Sequence, residues 1–345
     1  MASLISALKH KWLSPPKEVQ ESYAGRNVIV TGATAGIGYE AVEKFAALGA
    51  SKVIIAARDL RKGDATKAAI EGRVGKNDQL EVWELNMGSY ESVVAFAMRA
   101  HALDHLDIAI LNAGVRKYSF MPSEYGWEED LQVNTLSSVL LGILLLPKLK
   151  ESKQINGKIP ILEFVNSGLH QNAIVDAETR KAPSILQAYN TPERFNDNTQ
   201  YCMSKVFLMY ATNQLAKSVS SGDVIVTSVC PGWVATDLAR EYQFFGRDIV
   251  FALVSFSIMR SPSQAANTIL SGTTQGEQLH GRFWQHDEIQ PISPSVAGEE
   301  NIKFGLRVWN EIVETLIEGV PVVTKTQDSL DLQQWIKEKG LVHTE

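Results

Sequence analysis

Tyr201 and Lys205 stand four residues apart in the run Gln200-Tyr-Cys-Met-Ser-Lys-Val206. On a helix that spacing puts both on one face, one turn apart, so an ammonium can lie beneath a phenol. A nearby cation favours phenolate and moves the group from its ordinary pKa of about 10 toward the range where protons are exchanged. Such a pair would let Tyr201 act as an acid or a base. A Tyr and a Lys one turn apart also occur on ordinary solvated helix faces, so the reading depends on the elements that must position them.

The first of those elements is a strand, Asn27 to Thr31, followed at once by Gly32-Ala-Thr34-Ala35-Gly36-Ile37-Gly38 and a helix to Leu48. Glycines there let the backbone turn sharply and let a pyrophosphate approach the positive end of a helix. The next strand, Lys52 to Ala57, ends in Arg58 with no carboxylate at Ala56 or Ala57 to hold ribose hydroxyls. A guanidinium at that place suits a 2′-phosphate, which favours NADP(H); Asp59 beside it would oppose that reading if it faced Arg58.

A strand from Leu80 to Leu85 brings Asn86 and Met87 toward an adenine. His101 and His105 lack a third ligand and read as a solvated helix end, so no metal is expected. The strand Asp107 to Leu111 delivers Asn112, Ala113 and Gly114, small residues that let the chain pass close to a flat ligand. A long helix around Glu128 to Lys150 carries Asn134, and the strand Ile161 to Val165 presents Asn166 and Ser167 at its carboxyl end, where open α/β sheets place their ligands. About 33 residues rich in turn formers separate Ser167 from Tyr201, too long for an idle connection, and they are expected to form a lid. Ile174, Ile185, Leu186, Tyr189 and Phe195 would close it over a bulky hydrophobic small-molecule substrate.

The strand Val224 to Val229 runs into Cys230-Pro231-Gly232-Trp-Val234-Ala-Thr236. Farther on, a helix from Gly298 to Leu316 puts Ile302, Leu306, Trp309, Val313 and Leu316 on one stripe, so the tail should dock on the domain. Strands alternate with helices from Asn27 to Trp284, which predicts one α/β domain, a doubly wound parallel sheet of Rossmann type. Residues 25–290 would form this catalytic domain, with extensions at 1–24 and 291–345.

A net charge of −6 over 345 residues, with both signs interspersed, argues against a nucleic-acid partner. Cys202 and Cys230 read as reduced core thiols of a cytoplasmic protein. Ala2 to Lys11 fits a short amphipathic helix resting on the protein, the favoured reading, or on a membrane surface, and Ile249 to Met259 is too short for a bilayer span, so no transmembrane segment is expected. Homodimer formation is left open.

Taken together, Thr31-Gly-x-x-x-Gly-Ile-Gly38, Asn112-Ala-Gly114, Asn134, Ser167, Tyr201-x-x-x-Lys205 and Pro231-Gly232 with Thr236 resemble the short-chain dehydrogenase/reductase family over roughly residues 25 to 290. Ala56-Ala-Arg-Asp59, Leu111-Asn-Ala-Gly114 and His170 three residues after Ser167 resemble its retinol dehydrogenase and WW-domain oxidoreductase branch. The Leu-Lys-His-Lys-Trp12 and Phe283-Trp-Gln-His286 segments look most like filamentous-fungal members, many of which tailor secondary metabolites.

The resemblance implies a seven-stranded sheet and a tetrad. Tyr201 would be the proton donor to a carbonyl. Lys205 would hold the nicotinamide ribose and lower the Tyr201 pKa. Ser167 would hold the carbonyl oxygen, and Asn134 would fix a water leading to Lys205. Pro231, Gly232, Val234 and Thr236 would line the nicotinamide. The chain departs from the pattern at Asn86, where an Asp is usual, at Leu111, where a second Asn is common, and in the long interval after Ser167. The leading function is an NADP(H)-dependent reductase or dehydrogenase on a ketone or secondary alcohol. A non-redox cyclisation, isomerisation or dehydration on the same fold is the alternative, and a nucleotide-sensing protein without catalysis is a third.

Overall fold

The structure, a computed structural model, describes residues 9–76, 78–234 and 259–320. Thr236 and almost all of the apolar run Ile249 to Met259 lie outside the described residues, as do residues 1–8 of the expected N-terminal helix.

Eight strands form one sheet: β1 Asn27–Thr31, β2 Lys52–Ala57, β3 Leu80–Glu84, β4 Ile108–Leu111, β5 Ile161–Val165, β6 Ile225–Cys230, β7 Phe283–Gln285 and β8 Glu288–Ile289, in the spatial order β3-β2-β1-β4-β5-β6-β7-β8. The first seven pair in parallel, as expected. The eighth is an antiparallel addition that comes from a tight turn, since His286 and Asp287 both hold φ near +60°, as a two-residue hairpin turn requires. Strands β1, β4, β5 and β6 are buried on both faces, which explains why they are mostly apolar without an alternating polar face, Glu163 of β5 and Thr227 and Ser228 of β6 being buried polar exceptions.

Helices cover each face. On one side lie α1 Gly36–Ala47, α2 Leu60–Val74 and α8 Pro262–Gly272. On the other lie α3 Tyr90–His101, α4 Ser138–Asn156 and α7 Asp197–Lys217, with α9 Glu299–Gly319 packed outside α7. Two short helices, α5 Ala177–Lys181 and α6 Ile185–Ala188, belong to the long connection after β5. The helix expected from Glu128 begins instead as a π-helical turn, Asp130–Ser137, with all eight residues buried, before it continues as α4. Residues Asp130–Asn156 are long and apolar enough to cross a membrane by length and composition, but 94% of that apolar window is buried inside the protein. This is the core helix of the domain.

Two expectations need correction. On α9 the buried stripe is Phe304, Gly305, Val308, Trp309, Ile312, Val313 and Leu316, while Ile302 and Leu306 face outward. Gly305 sets that rotation, because a Cβ there would fall 2.4 Å from the Tyr210 ring, so α9 approaches α7 through its glycine. The connection from His170 to Thr199 is not a free lid. Ile185, Leu186 and Tyr189 are buried in the core, and only Ile174 is fully exposed among the five apolar residues expected to close over a ligand. Glu311 of α9 accepts hydrogen bonds from the Ile185 and Leu186 amides (2.7 and 3.0 Å), and Asn190 accepts from the Glu128 amide at 2.8 Å. Those bonds fasten the connection at its middle, from Ile185 to Asn190.

The described part of the N-terminal arm rests on the protein. His10 stacks on His286 at 3.7 Å, and its carbonyl accepts from Arg260.

Candidate active site

The site lies at the carboxyl ends of β1, β4, β5 and β6, where the strand order reverses between β1 and β4. At its nucleotide end the backbone is packed to the limit. Gly38 lies in the first turn of α1, and a Cβ on it would lie 2.4 Å from the Gly32 carbonyl; one on Gly32, which holds φ +63°, would lie 2.9 Å from the Ala113 backbone. Asn112 Nδ2 donates to the Thr31 carbonyl at 2.9 Å, and the Ala113 amide donates to Thr31 Oγ1 at 2.9 Å, tying β1 to β4. Ala35 precedes α1 without a side-chain cap, so the amides from Thr34 and Ala35 through Gly36 and Ile37 lie at the positive end of a helix dipole. Ground so shaped fits a pyrophosphate.

Arg58 is exposed beyond β2, and Asp59 does not face it. Asp59 Oδ1 instead caps α2 by accepting from the Arg61 amide at 2.9 Å, while its Oδ2 lies 3.5 Å from Arg61 Nη2. Asn86 accepts from the Gly88 amide through Oδ1 at 3.0 Å, which leaves its amide nitrogen for a base, and Met87 is buried beside it.

At the chemical end, α7 carries Tyr201 and Lys205 on one face, both buried, with Lys205 Nζ 5.9 Å from the centre of the Tyr201 ring. Asn196 caps this helix through the Thr199 amide, which fixes where its first turn begins. Ser167 caps the short turn after β5 through the Leu169 amide, and its hydroxyl is one of the groups beside Tyr201 that favour phenolate. Lys205 Nζ donates to the Val165 carbonyl at 3.1 Å. Asn134 is fully buried in the π-helical turn, where Oδ1 accepts from the Val115 amide (2.8 Å) and Nδ2 donates to the Val115 carbonyl (2.8 Å) and Ser204 Oγ (3.1 Å). Its side chain therefore clamps the strand exit after β4. Pro231 and Gly232 continue from β6, Gly232 holds φ +89° against the Arg260 guanidinium, and Val234 pairs with Arg260 in an isolated bridge.

The electrostatics differ from the simple cation-under-phenol expectation. Burial pushes the Tyr201 phenol well above its ordinary range, Cys230 and Asp130 push the same way, and the Ser167 bond and the Arg116 guanidinium are the main opposing influences. Burial also pulls Lys205 down to about 8, with Asp130 and Cys230 offsetting part of that loss. Lys205 is thus still an ammonium at neutral pH, but desolvation makes it lose that charge at lower pH than an ordinary lysine.

Sequence reasoning missed three side chains that the fold brings here. Arg116 Cζ lies 5.5 Å from the Tyr201 ring centre. Asp130 is fully buried and pushed up to about 8, first by burial and then by Glu128. Cys230, read as core, receives hydrogen bonds on Sγ from Gly168, Gly232 and Gln285. The one available signal was spacing: Asp130 precedes Asn134 by one helical turn, and Arg116 follows Gly114 by two residues. His101 and His105 have separate partners, the Leu144 carbonyl and Asp107.

This geometry has counterparts. A family model described as short chain dehydrogenase matches residues 26–170. Over 318 residues the chain is 36% identical to the short-chain dehydrogenase/reductase ffsI of Aspergillus flavipes, covering 91% of this chain and 93% of that one. The chain belongs to the short-chain dehydrogenase/reductase family. A second fungal member, phmF of Phaeosphaeria nodorum, is also 36% identical, with 88% and 90% covered. Among solved structures, the Pseudomonas aeruginosa RhlG/NADP active-site complex has the same fold at TM-score 0.59 and 21% identity, covering 76% of this chain and 95% of that one. The protein is therefore a short-chain oxidoreductase related to fungal members, and the tetrad positions of the family pattern, Asn134, Ser167, Tyr201 and Lys205, converge at one end of its sheet.

Proposed function

We propose that this short-chain dehydrogenase/reductase interconverts a ketone and a secondary alcohol on a hydrophobic small molecule, a biosynthetic intermediate, with NADP(H) as cofactor in the cytoplasm. The observation that carries the reading is the buried Tyr201 phenol beside the partly buried Ser167 at the carboxyl end of β5, with Lys205 one turn along α7. When bound, the nicotinamide supplies or accepts the hydride. Tyr201 gives its proton to the carbonyl oxygen, Ser167 steadies the charge growing on that oxygen, and Lys205 holds the ribose. Asn134 keeps the Val115 backbone in place beside them.

NADP(H) is favoured over NAD(H) by Arg58, which has no ion-pair partner among the described residues, and by Asp59 being held on α2. The RhlG relative was solved with NADP, which agrees with this preference.

Tyr201→Phe should lower turnover of NADPH with a hydrophobic ketone by about 10³-fold, with nucleotide affinity within about twofold of the parent. Steady-state rates and nucleotide titration measure both, and an active Tyr201→Phe enzyme would refute the assignment. Arg58→Asp should move the NADPH-over-NADH preference by roughly tenfold or more toward NADH, about 1.4 kcal/mol. An unchanged ratio of KM values would remove Arg58 from phosphate recognition.

A further inference from the structure

Two cations, not one, stand at similar range from the reacting phenol. Arg116 Cζ is 5.5 Å from the centre of the Tyr201 ring, and Lys205 Nζ is 5.9 Å from it. Arg116 is also held with unusual care for a long side chain. Its Nη2 donates to Asn198 Oδ1 at 2.6 Å and lies 3.6 Å from Asp197 Oδ2, both in the first turn of the helix that carries Tyr201. Tyr118 supports the guanidinium from another side at 5.4 Å.

The backbone is fixed on both sides of it. Asn134 takes the amide and the carbonyl of Val115, and Asp130 Oδ1 accepts from the Lys117 amide at 3.0 Å. Asp130 and Asn134 are four residues apart on the buried π-helical turn, so a single element grips the chain immediately before and after Arg116. Little freedom remains for this charge to leave the phenol.

The chemistry gives such a charge a purpose. Lys205 is drawn down to about 8 by burial, so its ammonium fades in the alkaline range where a buried phenol releases its proton. A guanidinium stays charged throughout that range. The groups that face Tyr201 come from every element around it: Ser167 after β5, Cys230 at the end of β6, Asp130 in the π-helical turn, Lys205 on α7 and Arg116 after β4. Cys230 and Asp130 hold the proton on, while Ser167 and Arg116 favour its release. Asp197, Asn198, Asp130 and Cys202 are the groups that sense Arg116 in turn.

We propose that Arg116 is an electrostatic positioning residue for Tyr201, a fixed positive charge that lets the phenol give up and regain its proton, with Asn134 and Asp130 as the clamp that keeps it in place. This rests on the reading of Tyr201 as the proton donor.

The test uses the NADP⁺ holoenzyme. The ultraviolet tyrosinate signal of Tyr201 is isolated by subtracting Tyr201→Phe from the parent, and the alkaline limb of cyclohexanol or 1-phenylethanol oxidation is followed in parallel. The Tyr201 signal should develop on the alkaline side of an ordinary tyrosine, and Arg116→Gln should raise its midpoint by about one pH unit. Arg116→Lys should recover at least half of the shift, and Asp197→Asn, which removes the anion beside Arg116, should move it the other way. A purely structural role would lower rates without moving the midpoint.

An unmoved midpoint in Arg116→Gln with parental nucleotide affinity overturns the proposal, and so does a parent whose Tyr201 shows no tyrosinate anywhere in the pH range over which the enzyme stays folded. Should Arg116→Gln not fold, an upward or absent shift in Asp197→Asn overturns it equally. If the midpoint moves as expected while the oxidation limb persists in Tyr201→Phe, the role of Arg116 stands and the proton-donor reading is what fails.

Discussion

The two ends of the active site are built by different means. Around the glycine turn the backbone does the shaping: Gly32 and Gly38 bring main chain within contact distance of main chain, and Thr31 and Asn112 bond backbone groups across β1 and β4. Around the phenol, buried polar side chains do it. Asn134, Asp130 and Glu128 all leave one short turn to hold segments distant in sequence, and Glu128 Oε2 alone accepts from the Asp130 amide (3.0 Å), the Leu131 amide (3.4 Å) and Gln200 Nε2 (2.7 Å). Around its glycine turn the first end should be intolerant of added volume and less sensitive to lost polar side chains. The second should be the reverse.

Gly38→Ala probes the first statement most severely. A Cβ would fall 2.4 Å from the Gly32 carbonyl and 2.7 Å from Asn112 Nδ2, and the backbone contact has no room to give. Nucleotide affinity should fall by about a hundredfold or more, about 2.7 kcal/mol, with stability reduced by about 1–3 kcal/mol. Isothermal titration with NADPH measures the affinity, and a parental value would show that the turn is looser than its contacts imply.

Glu128→Leu asks the matching question of the other end. The change is tolerable in volume but strands two backbone amides and the Gln200 side chain next to Tyr201. It should cost about 3 kcal/mol in urea unfolding. A loss below about 0.5 kcal/mol would mean that these bonds contribute little, and the contrast between the two ends would collapse.

Glu163 sharpens the contrast because it is a buried acid with no such work. It sits in β5, fully buried, and neither carboxyl oxygen has a hydrogen-bond partner among the described residues. Burial raises its pKa well above the ordinary carboxylate value. The folded protein then keeps a proton that the unfolded chain releases, so stability falls as pH rises through the ordinary carboxylate range and on toward the folded value. Glu163→Met should therefore stabilise the protein by about 1–3 kcal/mol at pH about 7, and by less at pH about 4, where the unfolded acid is protonated too. Urea midpoints at the two pH values measure the difference. Equal gains at both would mean that the charge of Glu163 is not what the fold opposes.

Much of the first end was legible along the chain. Gly32, Gly36 and Gly38, the apolar β1 run and Arg58 are local features, and a strand, a tight turn and a helix specify one another within a few residues. Ser167, Tyr201 and Lys205 were legible for a different reason, since residue type and spacing stated their chemistry before their positions were known. Arg116 and Asp130 were not, because a lone Arg after a strand and an acid on a helix mean nothing until α7 and the π-helical turn are packed against β4. The connection from His170 to Thr199 was misread for a related reason: its length pointed to a lid, whereas Glu311 and Asn190 fasten it down.

The sequence by itself determined the alternation of strands and helices, the glycine turn, and the set of residues able to move a proton, because each depends on short-range sterics or on the side chain's own chemistry. Tertiary structure alone decided the rotation of α9 about Gly305, the fixing of the long connection, and the electrostatic state of Tyr201 and Lys205. These depend on desolvation and on contacts between residues remote in sequence. A phenol and an ammonium one turn apart have a known spacing on any helix, but their pKa values are set by what else is buried with them.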